Sequence, residues 1–455
     1  MSTIDGMDKE RLTRPLSETS GKFYALLGVA LVLTLAMAVA YFFQLRDGMA
    51  VTDMRGWGTH GGAPWALYIG TFIWWVGIAH GGIAISAAVR LFDLETFLPI
   101  ARIAEVVTLI ALPMATLNIM FDIGRPDRMY MVITSWPSTV TSSPLAWDVT
   151  AVLLYFTLSA TYLVVTLRGD LYDLRQRGSL PSVLSPLYSF LLMGYDPDER
   201  ATTDRMAKWL AVAVLLLVPL LSGGVVPWLF ATMGMHPGWF GASHGPAMLF
   251  ESLTSAIAVV LIVAAAFRYG YRWNDLIDDA VFKGLNKALI VLVLATLWFQ
   301  LQSAVTGSFP AAPIETAEIT SSLLTGAMAP AFWTAIGLLV VALIYLVAQL
   351  LQPTLFSVAG SAVAALAVTA AIFLKKTVFV VEGLLYPTRA PLANMFPEAS
   401  YFPTVPELVI ALGTIGLGAL LMLAATKIIP MVELEDAAET EPEADAEATA
   451  EVTAE

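Results

Sequence analysis

Residues 64–91 read PWALYIGTFIWWVGIAHGGIAISAAVRL, and this stretch decides the fold. It carries no Asp, Glu, Lys or Arg before Arg90, and His80 is its one imidazole. At about 1.5 Å of rise per residue, a helix of this length covers the ~30 Å hydrocarbon core of a bilayer. Runs of the same kind recur at roughly 21–43, 101–121, 144–167, 207–235, 245–267, 283–305, 329–351, 355–380 and 404–429. The expected fold is therefore an all-α integral membrane protein of about ten transmembrane helices. Composition agrees: 58% of the 455 residues are hydrophobic and 13% are charged, against roughly 25% charged in soluble domains.

The charge is unevenly spread. The formal net charge is −13, but residues 431–455 (MVELEDAAETEPEADAEATAEVTAE) are acidic, Ala-rich and free of basic or aromatic side chains. Such a segment cannot bury enough apolar surface to fold alone, so a disordered cytoplasmic tail is expected there. The expected organisation is a cytoplasmic N-terminal segment (1–20), a transmembrane domain (21–430) and the tail (431–455). The first apolar run exceeds the 7–15 residues of a signal-peptide core and reads as an uncleaved helix. Placing the N-terminus inside puts 17 of the 24 Lys and Arg on that side, including those of the long loop 168–206. Arg46, Arg55, Arg125, Arg128, Lys375, Lys376 and Arg389 then count as outside. The bias predicts both termini in the cytoplasm.

The chain has no cysteine. That excludes disulfides, thiolate-held iron–sulfur clusters, haem attached through CxxCH and a cysteine nucleophile. The four histidines, His60, His80, His236 and His244, form no metal or haem motif, so no metal is expected. No basic patch points to nucleic acid.

Ionisable groups inside spans are the candidates for chemistry, because lipid penalises them unless they are paired. These are His80 and Glu105, together with Asp148 at the outer start of the fourth span and Glu251 in the sixth. At the outer end of the third span the chain reads Asn118-Ile-Met-Phe-Asp122-Ile-Gly-Arg125-Pro-Asp-Arg128, followed by Ser143-Pro-Leu-Ala-Trp-Asp148. Two carboxylates and an arginine thus collect near one membrane face, with His60 on the same side. A quinone ring needs such groups: a donor to its carbonyl and a base for the quinol proton. An interfacial salt bridge from Asp122 to Arg125 or Arg128 explains the same residues without a ligand. Gly223-Gly224 in the fifth span is the only sign of the broken helices that transporters use.

Trp74-Trp-Val-Gly-Ile-Ala-His80-Gly-Gly-Ile-Ala-Ile-Ser86, Arg102-Ile-Ala-Glu105-Val-Val-Thr108, Asp122-Ile-Gly-Arg-Pro126 and Ser143-Pro-Leu-Ala-Trp-Asp148 together resemble the NrfD/polysulfide reductase membrane-subunit family. Ten spans resemble its longer branch, typified by the quinol-oxidising subunits of alternative complex III. The resemblance implies two four-helix bundles in spans two to nine with peripheral helices beside them, in a prokaryotic cell membrane. It implies a respiratory oxidoreductase subunit, not an autonomous enzyme, that oxidises or reduces quinone or menaquinone near the outer face. An extrinsic iron–sulfur, ferredoxin-like subunit would exchange the electrons, next to a molybdopterin-type or cytochrome subunit; this chain would hold no haem or cluster. Asp122 and Asp148 carry over as catalytic positions, with His60 and Arg125 as further quinone contacts. His80, Glu105 and Glu251 are expected on a proton path. The competing reading is a membrane anchor or proton-translocating partner that binds no quinone.

Overall fold

Among the described residues, ten helices long and apolar enough to cross a membrane follow one another along the chain. They are α1 (Gly21–Asp47), α2 (Leu67–Leu91), α3 (Leu98–Asp122), α4 (Pro144–Gln176), α5 (Arg200–Leu220), α6 (His244–Tyr271), α7 (Asp279–Gly307), α8 (Ala329–Leu351), α9 (Val358–Leu385) and α10 (Val405–Ile428). The computed structural model describes residues 12–55, 65–232, 236, 238–241, 243–385 and 401–434, and among these there is no strand. His60 and residues 435–455, most of the expected tail, lie outside the described residues.

The helices form two rings of four. In bundle one α2 packs on α3, α3 on α4, α4 on α5 and α5 back on α2; in bundle two the order α6, α7, α8, α9 closes on α6. α2 joins the rings by packing on α6 and α9, while α1 pairs with α10, and α10 leans on α2 and α3. The peripheral helices and two bundles expected from the family resemblance are thus present. The centrality of α2 shows in its burial: 83% of its apolar window is inside the protein, against 11% for α1.

Small residues let α2 occupy this position, because helices in lipid associate by close backbone packing and not by a hydrophobic drive. A Cβ on Gly70 would lie 2.7 Å from Thr377 Cα on α9, and one on Gly82 would lie 2.8 Å from the Ala104 carbonyl on α3. Side chains at either place would push the helices apart. Two indoles then tie α2 outward: Trp74 Nε1 donates to Thr369 Oγ1 on α9 (3.2 Å) and Trp75 Nε1 to Thr414 Oγ1 on α10 (3.0 Å).

α5 is not a plain helix. After Pro219 it passes into a π-helical turn, Leu221–Val225, before resuming over Val226–Thr232. The Ser222-Gly223-Gly224 run is the cause, since glycine has the backbone freedom for the extra residue per turn. Proline frees a carbonyl in the preceding turn.

Two expectations change. Lys375 and Lys376 were counted on the outer side, but they lie inside α9, which continues to Leu385, and both ammonium groups pair with Glu251 inside bundle two. Removing them from the outer tally strengthens the charge bias. Second, the tail does not begin at 431. Met431, Val432 and Leu434 are buried against the Arg90–Arg102 end of bundle one, and Glu433 pairs with Arg90 at 2.6 Å.

Candidate functional site

Bundle one contains a partly open cavity between α2, α4 and the π turn of α5. Each helix contributes one stripe at helical spacing: Phe72, Val76 and His80 from α2; Asp148, Ala151 and Val152 from α4; Leu221, Val225 and Val226 from α5. Its free space is about 240 Å³ with the mouth included. The enclosed part is about 10 Å³, room for about one water molecule, so a larger occupant enters only as the lining side chains part. The walls are apolar except for His80 and Asp148.

These two groups are held differently. His80 Nδ1 shares a hydrogen bond with Ser222 Oγ of the π turn. The His80 ring stands edge-on to Tyr155 at 4.7 Å, and the Tyr155 hydroxyl donates to the His80 carbonyl at 3.3 Å. One ring nitrogen is therefore engaged and the ring orientation is fixed, the arrangement by which a partner selects a histidine tautomer. Asp148 sits in the first turn of α4, which Pro144 opens, and is 3% exposed. Among the described residues its carboxylate has neither a hydrogen-bond nor an ion-pair partner. Such a buried carboxyl is costly, and Asp148 is one of the residues on the cavity wall.

The other expected contacts stand elsewhere. Arg125 is exposed and forks onto Asp127 (2.9 and 2.8 Å), which sits two residues away in the same loop. The interfacial ion pair thus uses Asp127, not Asp122, and holds the Asp127 carboxyl below its ordinary range. Arg125 does not line the cavity. Asp122 does not line it either: this buried side chain belongs to a junction with α1 and α10, where its charge acts on Tyr68 together with that of Glu407. Tyr68 donates to Gln44 Oε1 (2.6 Å), Gln44 Nε2 donates to the Phe121 carbonyl (2.6 Å), and Tyr401 donates to Glu407 (2.8 Å). His60 lies outside the described residues.

Glu105 occupies a polar nest at the Arg90–Arg102 end of bundle one. One of its oxygens accepts from Ser86 Oγ and the other from Thr166 Oγ1 at 3.3 Å. Ser86 also meets the Tyr162 hydroxyl at 3.3 Å, and Arg90 Nε donates to Tyr162 at 3.2 Å. Arg102 pairs with Asp170 and donates to the Val432 carbonyl at 3.0 Å, and Leu434 N donates to Asp170 at 3.2 Å. The 431–434 segment is therefore part of this nest.

The face of α4 connects nest and cavity. Asp148, Tyr155, Ser159, Tyr162 and Thr166 recur three, four or seven residues apart, which places them on one side of the helix. Ser159 is fully buried, and its hydroxyl has no hydrogen-bond partner among the described residues. His80 and Ser86 are about 9 Å apart along α2. Tyr155, Ser159 and Tyr162 were not among the expected site residues, although their spacing is readable in the sequence. Ser222 was signalled only by the neighbouring glycine pair. Glu251 lies apart from all of these, facing α9 in bundle two.

The polysulphide reductase NrfD family model matches residues 57–385, the stretch from just ahead of α2 to the end of α9. A putative dimethyl sulfoxide reductase membrane subunit of Halobacterium salinarum is 34% identical over 238 residues, which cover 52% of this chain and 50% of that protein. A selenate reductase subunit of Mesobacillus selenatarsenatis is 22% identical over 320 residues, covering 68% of this chain and 71% of that protein. The match to the first relative thus spans about half of its length. With the family model covering both bundles, the chain belongs to the polysulphide reductase NrfD family and is a multi-pass membrane protein.

Proposed function

We propose that this chain is the membrane subunit of a respiratory reductase complex and that a quinone or menaquinone reacts in the cavity of bundle one. The observation that carries the proposal is the buried Asp148 carboxylate, without a partner among the described residues, on the wall of an apolar cavity that also presents His80. The quinone/quinol couple supplies two electrons and two protons. The residues supply binding and proton handling. Phe72, Val76, Val152 and Val225 exclude water from a bound ring. His80, oriented by Ser222 and Tyr155, presents its remaining ring nitrogen for a hydrogen bond to a ring oxygen. Asp148 accepts a proton from a ring hydroxyl or returns it. The Tyr155–Ser159–Tyr162 face of α4 offers hydroxyls from the cavity towards Glu105, which supports a proton path to the inner side.

Asp122 stands next to the cavity helices but behind them, as part of the Tyr68–Glu407 junction. Its role is to hold α3 against the peripheral helices. The names of the relatives support an assembly with a catalytic reductase subunit and an electron-transferring one. The expected ferredoxin-like iron–sulfur partner fits a chain without cysteine. With the charge bias, both termini face the cytoplasm and the cavity opens towards the outer half of the membrane.

The test is quinol-dependent turnover in membranes carrying the assembled complex. Asp148→Asn should lower it by about 10²-fold or more, the usual contribution of a positioned acid or base, with normal assembly. Unchanged turnover would overturn the cavity assignment and favour an anchor that binds no quinone.

A further inference from the structure

The connection between α4 and α5 holds one stretch unlike its flanks. From Gly178 to Tyr195 (GSLPSVLSPLYSFLLMGY) there is no charged residue, while Arg175 and Arg177 precede it and Asp196, Asp198 and Glu199 follow. Within it Ser182–Leu191 is an apolar helical segment, α-helical over Ser185–Leu191. It is too short to cross the ~30 Å hydrocarbon core and has the length of a segment that lies at the membrane boundary.

Two neighbouring stripes of this segment are apolar. Leu184, Tyr188 and Leu191 recur four and three residues apart and pack on bundle one. Val183, Leu187 and Phe190 have the same spacing but face away from the protein: Val183 is 87% and Phe190 67% exposed, and Met193 continues the stripe at 68%. In water such a stripe would be an uncovered apolar patch. The level of the segment is set by two spans. The Tyr188 hydroxyl donates to the carbonyl of Ile428, the last residue of α10, at 2.8 Å. Arg168, directly after the apolar run of α4, donates from Nε to the Leu191 carbonyl (2.9 Å) and from Nη2 to the Met193 carbonyl (3.3 Å). The segment therefore stands where both helices leave the hydrocarbon. Its side of the molecule is set as well. Leu154, Thr157, Thr161 and Arg168 recur three, four and seven residues apart on one face of α4, and the first three are exposed, as on a face turned to lipid. The segment hangs from the last member of that face.

We propose that Ser182–Met193 is an interfacial anchor, lying in the boundary between lipid headgroups and acyl chains at the Arg90–Arg102 end of bundle one, with the bilayer itself as the partner of Val183, Leu187, Phe190 and Met193. The argument for lipid is continuity: the exposed stripe prolongs the lipid-facing side of α4, so one bilayer covers both. An apolar stripe of this kind sinks about 5–10 Å into the headgroup and acyl boundary. The charged flanks, Arg175 and Arg177 on one side and Asp196, Asp198 and Glu199 on the other, then reach headgroups and water. Because Tyr188 holds the end of α10, the inserted segment also steadies the chain just ahead of the 431–434 stretch that joins the Glu105 nest. The anchor works whether or not bundle one binds a quinone.

The chain has no cysteine, so a single introduced cysteine carries a single spin label. The full chain with Phe190→Cys, Val183→Cys or Asp198→Cys, all at exposed positions, is labelled, reconstituted into phosphatidylcholine vesicles and measured by electron paramagnetic resonance. Two relaxing reagents are compared: oxygen, which concentrates among acyl chains, and a nickel chelate, which stays in water. The oxygen-to-nickel collision ratio at Phe190→Cys and at Val183→Cys should be severalfold above that at Asp198→Cys in the charged flank. A ratio equal to that at Asp198→Cys would overturn the proposal. So would low access to both reagents, which would make a second copy of the chain the cover of the stripe.

Discussion

Asp148 and Glu251, one acid in each bundle, are buried in opposite ways. In bundle one Asp148 faces a cavity with no cation beside it among the described residues, while in bundle two Glu251 is held by two lysines across a helix interface. An uncompensated carboxylate is a liability unless something enters to satisfy it, whereas a compensated one is already satisfied by the protein. Intramembrane charge alone therefore does not locate a ligand site. The informative feature is a polar group whose missing partner coincides with empty space.

The greatest change should come from breaking the compensated side. Glu251→Gln leaves two ammonium groups buried without an anion and should cost about 3–5 kcal/mol of stability, read as a lower Tm of the purified chain. A Tm within error of the unsubstituted protein would show that the lysines escape to solvent. On the uncompensated side the effect should fall on turnover and not on stability. Ser222→Ala removes the hydroxyl that orients His80. The loss of one hydrogen bond, about 1 kcal/mol, predicts roughly a five- to tenfold decrease in quinol-dependent turnover with the Tm unchanged. Equal turnover would separate the π turn from the site.

A smaller effect is expected from pH at the cap of bundle two. Burial holds the His236 imidazole below its ordinary value, partly offset by the hydrogen bond to Gly383. The folded cap therefore binds fewer protons than the unfolded one. Its stability is present above about pH 6.5, the value of an unperturbed histidine, and is lost as pH falls below it. Hydrogen exchange at the Trp239 indole, which donates to the Phe379 and Val380 carbonyls, should speed up below that pH, and His236→Gln should flatten the profile. Least of all should follow from Arg125→Ala. Arg125 is exposed and paired with Asp127, so turnover and Tm should both stay unchanged; a large loss of turnover would return Arg125 to the site.

The fold was legible where physics is simple. Uncharged runs of bilayer length pointed to ten helices at nearly the right places, and Pro144 marked the start of α4. Ends were less legible: α4 runs on to Gln176 and α9 to Leu385, because helices continue past the apolar run when partners satisfy their polar side chains. That is also why Lys375 and Lys376 were counted with the outer charges. Asp148 and His80 were identified from in-span polarity, but their meeting in one cavity depends on a π turn that sequence spacing does not announce. Asp122 and Arg125 were legible as polar residues at the end of α3, but α3 contributes no residue to the cavity wall.

Whether the His80–Asp148 cavity receives the quinone ring can be decided by photocrosslinking. A menaquinone analogue with a photoreactive ring, activated in native membranes, should label peptides of α2, α4 and α5 around Val76, Val152 and Val225, and Asp148→Asn should abolish the labelling. Labelling confined to the Tyr68–Glu407 junction beside Asp122, or labelling unaffected by Asp148→Asn, would contradict it.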